Sequence, residues 1–100
     1  MTDLERKFHL AMREIYLTAK KECGYNATRF LQLISEKGGL AAAKQLILKQ
    51  SDGFSTLNHY KRLDLSVEAH VLKPEFQNLF TEEERVICKK RLEDCGYFKK

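Results

Sequence analysis

Long apolar runs are absent from this 100-residue sequence, which also has no tryptophan and a single proline. The longest uninterrupted apolar stretch is the four residues Leu40–Ala43, whereas a membrane-spanning helix needs about 20. The N-terminal residues MTDLERKF include acidic side chains and lack the apolar segment of about 7–15 residues that a secretory signal carries. We therefore expect a cytoplasmic protein with no membrane partner.

Cysteine is scarce, and its spacing does not favour disulfides. The chain has Cys23, Cys88 and Cys95, and three cysteines cannot all pair within one chain. Cys88 and Cys95 are seven residues apart on a predicted helix, a rise of about 10 Å that is too long for a disulfide. We expect free, half-buried thiols in a reducing compartment. Cys88 and Cys95 are predicted to lie on the core-facing stripe of that helix.

The motifs of metal, phosphate and dinucleotide sites are missing. There is no Cys-x-x-Cys, no His-x-x-x-His and no calcium-loop pattern, and His9, His59 and His70 are isolated in the sequence. Neither a P-loop nor a dinucleotide-binding glycine pattern occurs. We therefore expect no metal, no cofactor and no catalytic residue.

An enzyme is the alternative from a different functional class. Asp64 and Glu68 are one helical turn apart and, together with His59, offer two carboxylates and an imidazole for general acid–base chemistry. Asp64 also suits the N-cap of a helix, so the structural role is favoured. A deep pocket lined by these three side chains would favour catalysis instead.

Strand signals are also missing, because no sustained apolar–polar alternation occurs. Apolar residues instead recur every three or four positions, which is typical of helices packed on one face. We predict one domain over residues 1–100, an all-α compact orthogonal bundle of five or six short helices. The predicted helices are Asp3–Cys23, a second from an Asn26 cap to Gly38, Leu40–Gln50, Phe54–Leu63, a fifth from an Asp64 or Ser66 cap to Leu72, and a last one from a capping box at Thr81 and Glu84 to Cys95.

The helix ends are marked by glycine and hydroxyl residues. Gly24 suits the left-handed position just past a helix C-terminus, with Tyr25 packing back on Ala19. Gly96 and Tyr97 repeat this ending after the last helix. Helix three is apolar on nearly every side, which predicts a central position in the fold.

The positive charge is concentrated in one half of the chain. The net charge is +4, and residues 1–50 account for all of it. A basic half permits an acidic partner without requiring one. On helix one, a basic stripe is predicted on the outer face, formed by Arg6, Arg13, Lys20 and Lys21.

Basic and aromatic residues interleave in the segment Asn58–Arg62. Lys61 and Arg62 are suited to contact phosphate, while an exposed His59 or Tyr60 is suited to stack on a base. The alternative is that Tyr60 packs inward and the other side chains are solvated. One hypothesis is therefore that nucleic acid or a partner protein is bound by His59, Tyr60, Lys61, Arg62, Arg13 and Lys20.

Two leucines on helix one do not fit its core-facing stripe. Leu10 and Leu17 are seven residues apart and point away from Phe8 and Ile15. Either another part of the chain covers them, or they mark an interface with another chain. Burial of two leucines at about 1.5–3 kcal/mol each favours self-association as a homodimer or binding of a protein partner.

The chain contains the segments FLQLISEKGGLAAAKQLI, GFSTLNHYKRLDLSVEAHVL and FQNLFTEEERVICKKRL. Together they resemble a small helical domain, common in bacteria, that occurs alone or beside HNH-type and other restriction-like nuclease domains. The resemblance covers about residues 15–97 and is most distinctive at Gly53–Leu57 followed by Leu63–Glu68. It implies an all-helical fold and a DNA-related or defence setting, by analogy only, and no particular catalytic residue.

These observations favour a non-enzymatic accessory or adaptor domain that binds a partner protein or nucleic acid. The chain has no nuclease domain of its own, so it is expected to act as a separate accessory piece. A third hypothesis is an element-encoded inhibitor of a larger nuclease complex.

Overall fold

The computed structural model describes residues 2–49 and 52–97, and within them the predicted all-α bundle is confirmed. Two short 3₁₀ segments, Leu63–Leu65 and Pro74–Leu79, connect the later helices. The predicted end of helix three at Gln50 lies outside the described residues. The α-helices are α1 (Asp3–Cys23), α2 (Thr28–Lys37), α3 (Gly39–Leu48), α4 (Asp52–His59), α5 (Val67–Val71) and α6 (Glu82–Asp94).

Helix α1 begins and ends as its sequence predicts. The Thr2 hydroxyl accepts a hydrogen bond from the Glu5 amide at 3.1 Å, and this satisfies one of the donors left open at a helix N-terminus. Gly24 adopts a left-handed φ of 67° at the other end. The Tyr25 amide then donates to the Ala19 carbonyl at 3.2 Å, so the chain folds back over the last turn.

The predicted Asn26 cap of α2 is wrong. Helix α2 begins at Thr28 after Ala27, without a side-chain cap. The Asn26 amide oxygen instead accepts a hydrogen bond from the Tyr16 hydroxyl at 2.7 Å. Because Tyr16 is buried on α1, its hydroxyl needs an acceptor, and Asn26 meets that need.

Helix α4 is shorter than predicted, ending at His59 instead of Leu63. Lys61 takes a left-handed φ of 60°, the position that glycine usually occupies after a helix. The Arg62 amide donates to the Leu57 carbonyl at 2.8 Å and the Lys61 amide to Asn58 at 3.0 Å. This pair of bonds is a Schellman motif, which closes α4 although no glycine marks it.

Hydroxyl caps start the two following helices. Ser66, one of the two predicted caps of α5, accepts from the Ala69 amide at 3.1 Å and donates to the Leu63 carbonyl at 2.6 Å. The predicted capping box of α6 is also confirmed, since Thr81 and Glu84 bond reciprocally at 2.8 and 3.1 Å. These caps fix where the chain turns between the 3₁₀ segments and the helices.

The core is continuous from α1 through α3 to α6. Phe8 is fully buried and meets Phe76 and Phe80 edge to face, with ring centroids 4.9 and 5.2 Å apart. Cys88 and Leu92 are buried on α6. Cys95 is exposed, so its predicted place on the core stripe is wrong, because α6 ends at Asp94. In the described part of the chain, no helix is long and apolar enough to cross a membrane.

His70 on α5 gives the fold a dependence on pH. Its Nδ1 lies 2.9 Å from the Ser66 carbonyl, and burial lowers the pKa of His70 below its ordinary value. The unfolded chain therefore binds this proton more tightly, so folding stability falls as the pH drops below about 6.5 towards the lowered pKa.

We expect the His70→Gln variant to lose less stability than the wild type between pH 7.5 and pH 5. Urea unfolding at several pH values measures this difference. His59→Gln is the matched control, because it makes the same substitution at an exposed histidine. If the unfolding free energy changed equally with pH in the wild type and in His70→Gln, the lowered pKa of His70 would be contradicted.

Candidate functional site

The outer face of α1 presents apolar side chains that the described residues leave uncovered. Leu10 and Leu17 are 53% and 51% exposed. They lie two helical turns apart, about 10 Å. Of the two possibilities left by the sequence, coverage within the chain is therefore not observed among residues 2–49 and 52–97.

Four exposed basic side chains share that surface with the two leucines. They are Arg6, Arg13, Lys20 and Lys21. Successive residues of a helix are rotated by about 100°, so positions 6, 10, 13, 17 and 20 fall on one side of α1. The opposite side carries Phe8, Met12 and Ile15 into the core. We define the α1 outer face as Arg6, Leu10, Arg13, Leu17, Lys20 and Lys21.

The segment around the end of α4 is exposed in part. His59 and Tyr60 are both exposed, with their rings edge to face and the centroids 5.4 Å apart. Tyr60 therefore does not pack inward. Lys61 is also exposed.

Arg62 is held by carboxylates. Its guanidinium bonds Asp64 at 3.1 and 3.3 Å and Glu22 at 2.8 Å. These hydrogen bonds raise the pKa of Arg62 above its usual value. Because Glu22 lies in the last turns of α1, the contact joins α1 to the 3₁₀ segment after α4. Arg62 is thus already paired, whereas His59, Tyr60 and Lys61 face outward.

The three residues of the enzyme hypothesis have separate partners. Asp64 bonds Arg62, His59 contacts Tyr60, and Glu68 bonds Arg91 at 2.7 Å. No hydrogen bond or ion pair links Asp64, Glu68 and His59 to one another in the described part of the chain. The structure does not assemble them into an acid–base pair.

Glu68 and Arg91 form a buried ion pair that the sequence analysis missed. The Glu68 side chain is 4% exposed and that of Arg91 14%. Arg91 also donates to the carbonyls of Leu46 and Ile47 at 3.3 and 2.9 Å. These carbonyls lie in the last turn of α3, where the helix dipole favours a cation. Arg91 therefore ties α3, α5 and α6 together. A charged residue at a core position of α6 is the only sequence signal for this pair.

Glu68 also borders a half-open cavity of about 550 Å³. That volume is in the range of small-molecule sites. Its one carboxylate is already held by Arg91, and its other polar lining residues are Tyr16, Tyr25, Arg29, Gln45, Lys49 and Ser66. The apolar lining residues are Ile15, Ala19, Ala27, Phe30, Leu33, Leu46, Phe54, Leu57, Leu65 and Val67.

Metal binding and cysteine reactivity both depend on how the side chains are arranged. Within the described ranges, no group of three or more His, Cys, Asp or Glu residues is placed to hold a metal ion. Burial, with the nearby Glu68 charge, raises the pKa of the Cys88 thiol to about 12. The thiolate is the reactive form of cysteine, so we expect Cys88 to react slowly in the folded protein.

We expect brief iodoacetamide treatment of the native protein at pH 8 to modify Cys95 at least about 100-fold faster than Cys88. Cys95 is exposed, whereas Cys88 is buried. Peptide mass spectrometry after a short pulse measures both rates. In concentrated urea the two rates should converge. Equal modification of Cys88 and Cys95 in the native protein would contradict the burial of Cys88.

Comparisons of the chain with protein-family models, with curated protein sequences and with solved structures find no match.

Proposed function

We propose that this chain is a non-enzymatic adaptor domain that binds a partner protein through the α1 outer face. The observation that carries the proposal is the half-exposure of Leu10 and Leu17 in the middle of a basic surface. Because each leucine is about half exposed, a partner that removes it from water gains about half of the value for full burial, or about 0.8–1.5 kcal/mol per leucine. The separate partners of His59, Asp64 and Glu68 support the absence of catalysis.

The charges beside the leucines specify the chemistry of the partner. Arg6, Arg13, Lys20 and Lys21 favour a surface with an apolar centre and an acidic rim. Complementary charges speed association and select among partners. The resemblance to a helical domain found beside nuclease domains supports a DNA-related or defence setting for this adaptor.

The proposal is tested by affinity capture from native cell extract. The baits are the wild type, the variant Leu10→Asp/Leu17→Asp, and Leu48→Asp as a matched control. Leu48 is 81% exposed on α3, so the control places an acid on an exposed leucine of another surface. Circular dichroism first establishes that all baits are folded.

The expected result is a protein captured by wild type and Leu48→Asp, lost from Leu10→Asp/Leu17→Asp, and retained after nuclease treatment. Identical capture by all three baits would overturn the role of the α1 outer face. Loss of the captured protein upon nuclease treatment would replace the protein partner with nucleic acid.

Nucleic-acid binding is the second candidate, favoured by the exposed group of His59, Tyr60 and Lys61. One aromatic ring and one cation are suited to stacking on a base and contacting phosphate. A labelled single-stranded oligonucleotide, titrated at about 50 and 200 mM salt, should bind more weakly at the higher salt concentration. Tyr60→Ala should weaken the binding. No binding at the lower salt concentration would remove this candidate.

A further inference from the structure

Helix α6 has an outer face whose net charge is opposite to that of the α1 outer face, with Lys89 and Lys90 between its acidic residues. Val86 and Ile87 are 57% and 38% exposed, and with Glu82 and Glu83 they line one shallow depression. Helical spacing places Glu93 and Asp94 on the same side, beyond Lys90. We define the α6 outer face as Glu82, Glu83, Val86, Ile87, Lys89, Lys90, Glu93 and Asp94.

The two outer faces are matched in charge. The α1 outer face, with the neighbouring Asp3 and Glu14, has four basic and two acidic side chains. The α6 outer face has four acidic and two basic ones. All of them are exposed, and none makes an ion pair with another described residue. The charged side chains of each face are therefore available to a partner, and the other face of the same chain carries the opposite net charge.

The two faces also match in length. The stretch from Arg6 to Lys20 rises about 21 Å, and the 13 residues of α6 extend about 20 Å. Both faces have exposed apolar residues between charged ones, Leu10 and Leu17 on α1 and Val86 and Ile87 on α6. A contact between them would bury exposed apolar side chains of both faces, between charges of opposite net sign.

We propose that the partner of the α1 outer face is a second copy of this chain, which docks its α6 outer face there. This inference rests on the proposed function, because it names the partner of the same site. The contact joins two different surfaces, so each copy has one of each to offer. Such a heterologous interface builds a closed ring, or an open chain if the rotation does not close.

Charge reversal on each face separately tests the proposal. Sedimentation velocity is measured for the wild type, for Arg13→Glu/Lys20→Glu, for Glu83→Lys/Asp94→Lys, and for an equimolar mixture of the two variants. We expect wild-type mass to exceed the 11.7 kDa monomer as concentration rises to about 200 µM, and each variant alone to bind itself at least tenfold more weakly.

The equimolar mixture of the two variants is the decisive measurement. The reversed α1 of one variant is complementary to the reversed α6 of the other, and the two native faces remain complementary as well. The mixture should therefore regain the association that each variant lacks. Circular dichroism confirms that both variants are folded, and Leu48→Ser serves as a control that should associate like the wild type.

A monomeric wild type at the highest concentration would overturn the second-copy partner, as would a mixture that stays monomeric while the wild type associates. Neither result bears on capture of a different protein by Leu10 and Leu17. Conversely, the wild type could associate in sedimentation while Leu10→Asp/Leu17→Asp still captures the same proteins as the wild type. That combination would support self-association and contradict the adaptor role.

Discussion

Replacing Arg91 with leucine is expected to lower the free energy of unfolding by about 3–5 kcal/mol. The variant leaves the Glu68 carboxylate inside the protein without its cation. It also removes the donors that Arg91 gives to the carbonyls of Leu46 and Ile47. Removal of one partner from a buried pair costs more than the pair itself contributes, because the remaining charge is not solvated. Urea unfolding followed by circular dichroism measures the change.

Two further variants test whether the loss comes from the isolated Glu68 charge or from substitution in general. Lys7→Ala removes the ion pair of Lys7 with Glu75, whose side chains are 62% and 45% exposed, and should cost less than about 1 kcal/mol. Glu68→Gln added to Arg91→Leu should restore part of the lost stability, because the isolated charge is then gone. A loss below about 1 kcal/mol for Arg91→Leu would show that the pair is open to water.

Local signals in the sequence were sufficient for most helix ends. The caps at Gly24, Ser66 and Thr81 depend on neighbours within a few residues of the chain. Their side chains or left-handed angles satisfy nearby backbone groups, so the sequence alone contains the necessary information. The all-α fold followed from apolar spacing for the same reason.

Features that depend on distant partners were not predictable. Asn26 looks like a cap, yet its oxygen accepts from Tyr16, and nothing in the sequence sets that preference. The end of α4 was missed for a local reason, because Lys61 adopts the left-handed angle that glycine usually takes. The pairing of Glu68 with Arg91 joins residues 23 positions apart, and only the assembled bundle brings them together.

The candidate site was also predicted only in part from the sequence. The sequence identified Leu10 and Leu17 as facing away from the core stripe, and both are exposed. It did not identify the α6 outer face, because Val86 and Ile87 stand among charged residues and read as part of an ordinary helix. The sequence did place Cys88 on the core-facing stripe of this helix, but only the assembled bundle shows that Val86 and Ile87 stay exposed.

The second large effect is expected at Gly39, the first residue of α3. Its amide donates to His9 Nδ1 at 2.9 Å, so α3 begins against α1. A Cβ added at Gly39 would lie 2.6 Å from the His9 Cα and 3.2 Å from its Cβ. The nearer atom is backbone, so the clash is relieved only by moving α1 away from α3. We expect Gly39→Ala to cost about 3 kcal/mol, the upper end of the range for overpacked cores.

Whether Gly39→Ala lowers or raises the free energy of unfolding distinguishes close packing from ordinary helix propensity. In an exposed helix, a change from glycine to alanine adds about 1 kcal/mol of stability, so propensity alone predicts a gain where packing predicts a loss. Ala41→Gly, at an exposed position of the same helix, measures the propensity effect and should cost about 1 kcal/mol. A Gly39→Ala variant that unfolds at higher urea concentration than the wild type would show that α1 and α3 do not meet closely at His9.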